Sequence, residues 1–220
     1  VLPLVSYQEV GELAFYGAKV LHPKTVQPIL DKGIPIRVRN TFNHDHPGTL
    51  IRENGEQTKT VIKAVTSINN VSLLTVSGKG MIGVPGIAGR TFLASAQAGA
   101  SILMISQSSS EQSFCFLVTE HTANHVKQAI EAELAAELVR RDIDRVDVQE
   151  DVVILTAVGS GMRGTPGVAG RVFGAMGNQG INVISIAQGS SECSISFVVA
   201  QADLERAVIA LHDLALEGVA

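Results

Sequence analysis

Two short strings hold most of the polar chemistry in this chain. Gln107-Ser-Ser-Ser-Glu111 and Gln188-Gly-Ser-Ser-Glu192 each gather an amide, hydroxyls and a carboxylate. A Gln amide offers a donor and an acceptor together, so Gln107 and Gln188 suit an amino or hydroxyl group of a small polar ligand. The other reading is a hydrogen-bonded hairpin turn with no ligand. Retention of Gln, Ser, Ser and Glu in both strings favours a ligand role in at least one of them. Asn182, leaving the Gly180 turn, either reaches the same region or is a turn residue.

A second pair of strings is Gly78-Lys-Gly80-Met-Ile-Gly83 and Gly159-Ser-Gly161-Met-Arg-Gly164. Both fit G-x-G-x-x-G between a strand and a helix, the context of a dinucleotide fingerprint. A dinucleotide fold, however, continues as a parallel βαβ unit with a carboxylate closing its second strand. Here that strand ends in Gln107 or Gln188 and a hairpin strand follows at once. The better reading is a glycine turn that brings N–H groups at a helix N-terminus close to a small anion, such as an amino-acid carboxylate.

The remaining candidates favour plainer roles. His121 and His125 stand four apart on a helix without a third ligand nearby, which reads as a solvated face rather than zinc. His44 and His46 read as loop residues. Arg90 and Arg171 occupy equivalent helix positions and read as surface or interface salt bridges. Cys115 and Cys193 lie in alternating apolar runs, as reduced core cysteines do. No Ser/His/Asp, Cys/His or paired-carboxylate arrangement completes a catalytic site.

The elements that position these strings come in two copies. Residues 72–118 and 153–199 align without a gap, with close to half the positions identical. Each reads as strand, Gly/Pro turn, helix, strand, turn, strand, helix. The first copy predicts strands at 71–77, 101–106 and 113–119 and helices at 85–98 and 122–138, with Pro85 at the first helical position. The second predicts strands at 152–158, 182–187 and 194–200 and helices at 166–179 and 202–215. This order, closed by one more strand, is a ferredoxin-like βαββαβ domain, so the fold class is α+β. Residues 144–151 can close the first copy. Too little chain follows Leu214 to close the second, yet 61–68 reads as an extra strand ahead of the first copy. An unclosed sheet would leave an unpaired edge. We therefore expect 61–68 to complete the second copy, with the first inserted into it.

Residues 1–55 read differently. Ser6 is a good N-cap for a helix over 7–16. Pro23 opens a second helix over 24–32, closed by Gly33. Residues 34–39 alternate as a half-exposed strand, and 43–48 form a turn. This piece has little apolar surface of its own and looks like the end of a larger domain. With no initiator Met at Val1, the chain reads as a fragment or processed subunit. A net charge of −4 and a pI near 5.9 argue against a nucleic-acid surface, and no apolar run is long enough to span a membrane.

The string Glu12-Leu-Ala-Phe-Tyr-Gly-Ala-Lys-Val-Leu-His-Pro23 resembles the end of the aspartokinase catalytic domain, and the two repeats resemble that family's paired ACT domains. The resemblance covers essentially the whole chain. It implies a cytoplasmic regulatory region for ATP-dependent phosphorylation of aspartate, a small amino-acid effector, and a homo-oligomer formed by ACT–ACT pairing. The Gln-x-Ser-Ser-Glu turns are more similar to threonine-sensing members, including bifunctional aspartokinase–homoserine dehydrogenases, than to lysine-sensing ones. By that likeness Gly83, Pro85, Gly86, Ala88 and Gln107 bind the effector, and Asn182, Val183 and Gln188 complete that pocket or form a second. The family's Lys-x-Gly-Gly phosphate loop is absent, which implies a catalytically inactive polypeptide without cofactor, ATP and Mg belonging to the parent enzyme. The implied domains are 1–55 (end of the kinase domain), 69–151 (first ACT domain) and 61–68 plus 152–220 (second ACT domain). An ACT pair serving only oligomerisation, a lysine-sensing monofunctional aspartokinase and a small nucleotide-binding dehydrogenase are the alternatives.

Overall fold

Serine, glycine and proline punctuate this chain, and the elements between them are resolved in a computed structural model. It describes residues 2–18, 21–22, 24–25, 28, 32–54, 61–108 and 111–216. The predicted helix over 24–32 falls largely outside the described residues. The chain divides into two units, one of residues 1–68, 154–199 and 203–220, the other of residues 69–153 and 200–202.

The N-terminal part of the first unit is a small sheet with one helix. Strand β1 (Leu4–Ser6) leads into helix α1 (Tyr7–Phe15), followed by β2 (Ile36–Val38) and β3 (Thr49–Arg52). The sheet order is β1-β3-β2, with β1 parallel and β2 antiparallel to β3. Sequence patterning finds α1 and β2 but misses β1 and β3, whose three or four residues are too few to display an alternation. Ser6 caps α1 as expected, and the cap is reciprocal. Its Oγ accepts the Glu9 N–H at 3.1 Å while the Glu9 carboxylate accepts the Ser6 N–H at 2.8 Å. Val5, Tyr7, Val10 and Ile51 form a small apolar nucleus, and the Tyr7 hydroxyl donates to the Ile34 carbonyl at 2.7 Å.

The second unit begins within strand β4 (Ala64–Ser77). It continues through α2 (Ile87–Gln97), β5 (Met104–Gln107), β6 (Ser113–Thr119), α3 (Glu120–Glu133) and α4 (Ala135–Arg140), and ends within β7 (Arg145–Val158). Its strand order is β5-β6-β4-β7. Antiparallel registers run from Val71 opposite Thr119 to Ser77 opposite Ser113, and from Met104 opposite Leu117 to Gln107 opposite Phe114. The Asp144 N–H donates to the Ser77 carbonyl at 2.8 Å where β7 enters beside β4. Helices α2 and α3 cover one face of the sheet. Phe92 meets Phe114 and Phe116 edge-on, each at 5.7 Å between ring centres.

The rest of the first unit repeats this plan. The end of β7 leads to α5 (Val168–Asn178), β8 (Ser185–Ala187), β9 (Ser194–Ala200) and α6 (Leu204–Leu216), in the strand order β4-β7-β9-β8. The Lys63 N–H donates to the Val158 carbonyl at 2.8 Å, so the chain just ahead of β4 lies against the end of β7. Phe173 packs edge-on against Phe197 at 5.6 Å, the counterpart of Phe92 on Phe116. A buried Thr156–Ser196 hydroxyl pair, 2.9 Å apart, satisfies both groups inside the sheet.

Two sequence expectations change in detail. The predicted strands 61–68 and 71–77 merge from Ala64 onward into one 14-residue strand, with residues 61–63 outside it, and 144–151 and 152–158 likewise merge from Arg145 into β7. Each long strand keeps running through a single left-handed residue at the same repeat position, Asn70 (φ 57°) and Asp151 (φ 54°). Asn and Asp tolerate that conformation better than other side chains. Pro85 does not open α2. Gly86, at φ 91°, is the N-cap and Pro85 precedes it.

The first glycine of each G-x-G-x-x-G string is required by space. Gly78 and Gly159 have extended backbones, φ −178° and 175°, which any residue adopts. A Cβ on Gly78 would sit 2.3 Å from the Asp142 carbonyl oxygen, and one on Gly159 would sit 2.1 Å from that of Val61. Since backbone rather than a movable side chain blocks the space, Gly159→Ala and Gly78→Ala are expected to cost at least about 1–3 kcal/mol in urea unfolding.

A buried ion pair fixes α1 to the second copy. Lys63 Nζ lies 3.1 Å from the Glu9 carboxylate, with side chains 3% and 1% exposed. Glu9 Oε1 also accepts the Ser160 N–H at 2.8 Å. Burial pushes the Glu9 carboxyl up, but hydrogen bonds from Ser6, Ser160 and Lys63 outweigh it and hold the pKa below the ordinary carboxylate value. The folded value is thus below the unfolded one. Its stabilisation is complete above the ordinary carboxylate range and fades as pH falls through the lower, folded value. Urea midpoints taken from pH 7 downward are expected to drop through that window, with a shallower drop in Glu9→Gln.

Candidate functional site

Each copy builds a cleft where its first strand, first helix and hairpin meet. In the second unit Met81 turns inward from a short 3-10 turn over Lys79–Met81, and Gly83 follows at φ 70°. Gly86 then starts α2 without any side-chain cap. The opening N–H groups of that helix are the ones a helix leaves unsatisfied, and they carry the positive end of its dipole. The cleft in front of them measures about 380 Å³. Gly83, Pro85, Gly86 and Ala88 line it together with Gln107, the last residue of β5. The structure therefore brings all five first-copy residues singled out in the sequence to one place.

The first unit repeats the device. Gly167, at φ 83°, starts α5, again without a side-chain cap. The cleft beside it measures about 580 Å³ and is lined by Thr165, Gly167, Ala169 and Gln188, among others. Asn182, exposed, and Val183, half-buried, lie on the extended stretch ahead of β8, outside the lining of either cleft.

Sequence reading noted the repeated Glu of the hairpin strings without finding its task. Glu111 and Glu192 both have left-handed backbones, φ 56° and 53°. Each N–H closes its turn, Glu111 onto Ser108 and Glu192 onto Gly189. Each carboxylate reaches across the cleft mouth to a glycine N–H, Glu111 to Gly83 at 3.4 Å and Glu192 to Gly164 at 2.8 Å. Both carboxylates are exposed, so these bonds shape the rim more than they stabilise the fold. The result is a polar pocket with a helix N-terminus on one wall, an amide on the other and a carboxylate at the mouth.

The other singled-out residues are elsewhere. Arg90 binds Glu133 at 2.8 Å and Glu137 at 2.6 Å, tying α2 to the α3–α4 corner. Those bonds raise the Arg90 pKa further and lower that of Glu137. Arg171 is exposed on α5, and His121 and His125 are exposed on α3. The His46 Nδ1 accepts the Gly48 N–H at 3.0 Å in the loop after β2. Cys193 is buried, and that burial, with Glu12 and Glu9 nearby, raises its thiol pKa; Cys115 is half-buried. Among the described residues no three His, Cys, Asp or Glu side chains gather as a metal site, and no helix is long and apolar enough to cross a membrane. A missed residue is Glu9, for which the Ser6-x-x-Glu9 capping-box spacing was the available signal.

Fold and clefts define a tandem ferredoxin-like protein with one small polar pocket per copy. The chain belongs to the ACT-domain family, whose model matches residues 74–134 and 155–214. Over 211 residues it is 42% identical to a bifunctional aspartokinase/homoserine dehydrogenase of Haemophilus influenzae, an alignment that covers 96% of this chain and 26% of that protein. The chain thus spans about a quarter of that relative's length. Among solved structures, the aspartate kinase of Clostridium acetobutylicum superposes with a TM-score of 0.85 over 97% of this chain and 48% of its own, at 24% identity, a likeness of fold. E. coli aspartokinase III in complex with lysine and aspartate (T-state) superposes with a TM-score of 0.78 over 98% of this chain and 46% of its own, at 28% identity.

The start of α5 offers a test of how these turns are built. Gly167→Ala meets open space but must hold φ 83°, so its cost is conformational, about 1–2 kcal/mol. Gly174, inside the same helix and also facing open space, should tolerate alanine with a gain of about 0.4–1 kcal/mol. Thermal unfolding of the two variants is expected to move in opposite directions.

Proposed function

We propose that this chain is a regulatory region of an aspartokinase, that it binds an end-product amino acid for feedback inhibition, and that the effector is threonine. Phosphoryl transfer from ATP to aspartate, with its magnesium, would then belong to the parent enzyme, and this chain alone would be inactive. The domain division 1–55, 69–151 and 61–68 plus 152–220, and a homo-oligomer paired through ACT domains, are part of the same reading. One observation carries it: the 107-side cleft places a Gln amide opposite an uncapped helix N-terminus. An amino acid presents a carboxylate, which suits the helix N–H groups, and an ammonium and hydroxyl, which suit the amide. The aspartokinase III structure is described as a complex with lysine, which makes lysine the effector to test against threonine.

The Glu111 and Glu192 bonds favour a second reading. Since those carboxylates occupy the Gly83 and Gly164 N–H groups, the turns could be structural and the copies serve oligomerisation alone. Calorimetric titration of the chain with threonine and with lysine separates the two. Heat with threonine is expected. Gln107→Ala should weaken that binding by roughly 1–3 kcal/mol through the polar group left unpaired. No heat with either amino acid would sink the sensor, and an unchanged affinity would remove Gln107 from it.

A further inference from the structure

The two clefts are built alike but held differently. In the first copy the N–H after the first glycine, that of Lys79, faces Asp144 Oδ2 at 3.4 Å on the surface. The acid there directly precedes the copy's own closing strand, β7. The repeat spacing maps Lys79 onto Ser160 and Asp144 onto Lys63. The second copy therefore has a lysine where the acid should be. Its missing carboxylate is supplied by Glu9, which accepts the Ser160 N–H at 2.8 Å and is itself held by Lys63. The capping box of α1 needs only Ser6 and Glu9, so the buried lysine and the Ser160 bond serve something besides the helix.

Helix α1 also contacts the start of β9, just after the hairpin string of the same copy. Glu12 Oε2 accepts the Ser194 hydroxyl at 2.8 Å, while the Cys193 thiol lies 3.3 Å from the Ser191 carbonyl of its own hairpin and 3.5 Å from Gln8 Oε1. Cys193 and Ser194 directly follow the Gln188–Glu192 string. In the first copy the counterpart of Ser194, Ser113, bonds instead to Ser108 within its own hairpin, at 3.4 Å. Helix α1 thus holds both Ser160, beside the glycine turn, and Ser194, at the start of β9. A movement of one against the other must stretch a bond to α1.

We infer that Glu9, clamped by Lys63, is a positioning residue that couples the Gln188 cleft to helix α1. The coupling to ligand rests on the amino-acid-binding reading above; the hold on the turn does not. The buried charge pair suits this task because it is costly to leave half-broken, which makes the contact two-state rather than graded.

Residue-resolved amide hydrogen exchange on the full 220-residue chain tests it, without ligand and then with saturating threonine. In Glu9→Gln without ligand, Ser160 should exchange at least about tenfold faster, as for a lost charge-assisted hydrogen bond, with Lys79 unchanged. With threonine, α1 amides should gain protection in the native chain, and the variant should lose that gain while calorimetric heat remains. If Glu9→Gln does not fold, Glu9→Leu with Lys63→Met leaves no buried charge and is read in the same way. Equal acceleration of Ser160 and Lys79, or none, would overturn the positioning role. Persistence of the α1 response in the variant would overturn the coupling. Absence of threonine heat in the native chain would refute the binding reading and with it the ligand coupling, leaving the ligand-free comparison to decide the positioning role.

Discussion

Two backbones run so close together in each copy that no Cβ fits between them. Gly159 meets the carbonyl of Val61, and Gly78 meets that of Asp142. This approach lets a fourth strand enter beside the first and leaves the sheet without a bare first-strand edge. It also sets the path of the next residues. A chain pressed against the closing strand turns at once into the short 3-10 segments Lys79–Met81 and Ser160–Met162, which bury Met81 and Met162. The helix that follows then starts at Gly86 or Gly167 with its N–H groups facing the cleft. The dinucleotide-like spelling thus has two separate causes. The first glycine answers to space, and the third answers to a left-handed backbone, φ 70° at Gly83 and 65° at Gly164.

Carboxylates then clamp both ends of each glycine turn. Glu111 and Glu192 hold the third glycine from the hairpin side, while Asp144 and Glu9 hold the N–H after the first. The opening N–H groups of α2 and α5, without side-chain caps, are left for whatever enters the pocket. This division of labour is electrostatically consistent. Exposed carboxylates at the rim are weak and screened, whereas Glu9, the buried one of these four, has both a cation and N–H donors. A half-satisfied charge at that depth would be strongly destabilising.

Much of this was legible in the residues. The repeat, the strand and helix types and the expectation of a strand ahead of the first copy follow from periodicity and turn chemistry, Gln107 is singled out by its repeated string, and the rest of the first-copy cleft set comes from the family resemblance. Those signals concern neighbours in sequence. Three things were not legible. Strands β1 and β3 are too short to display an alternation. The merging of 64–68 with 71–77 depends on Asn70 adopting a left-handed backbone inside a strand, which composition alone does not announce. Arg90 was read as a salt bridge without a named partner, because Glu133 on α3 and Glu137 on α4 are brought to it only by packing α2 against that corner.

The duplicated ferredoxin-like plan and the polar strings at its turns are written in the order of residues, since glycine, proline and apolar spacing act on the local chain. What each polar group faces is settled by packing. Glu9 finds Lys63 54 residues away and Ser160 151 residues away. Water competes for such groups in the open chain, and only burial, which removes that competitor, makes the choice of partner definite.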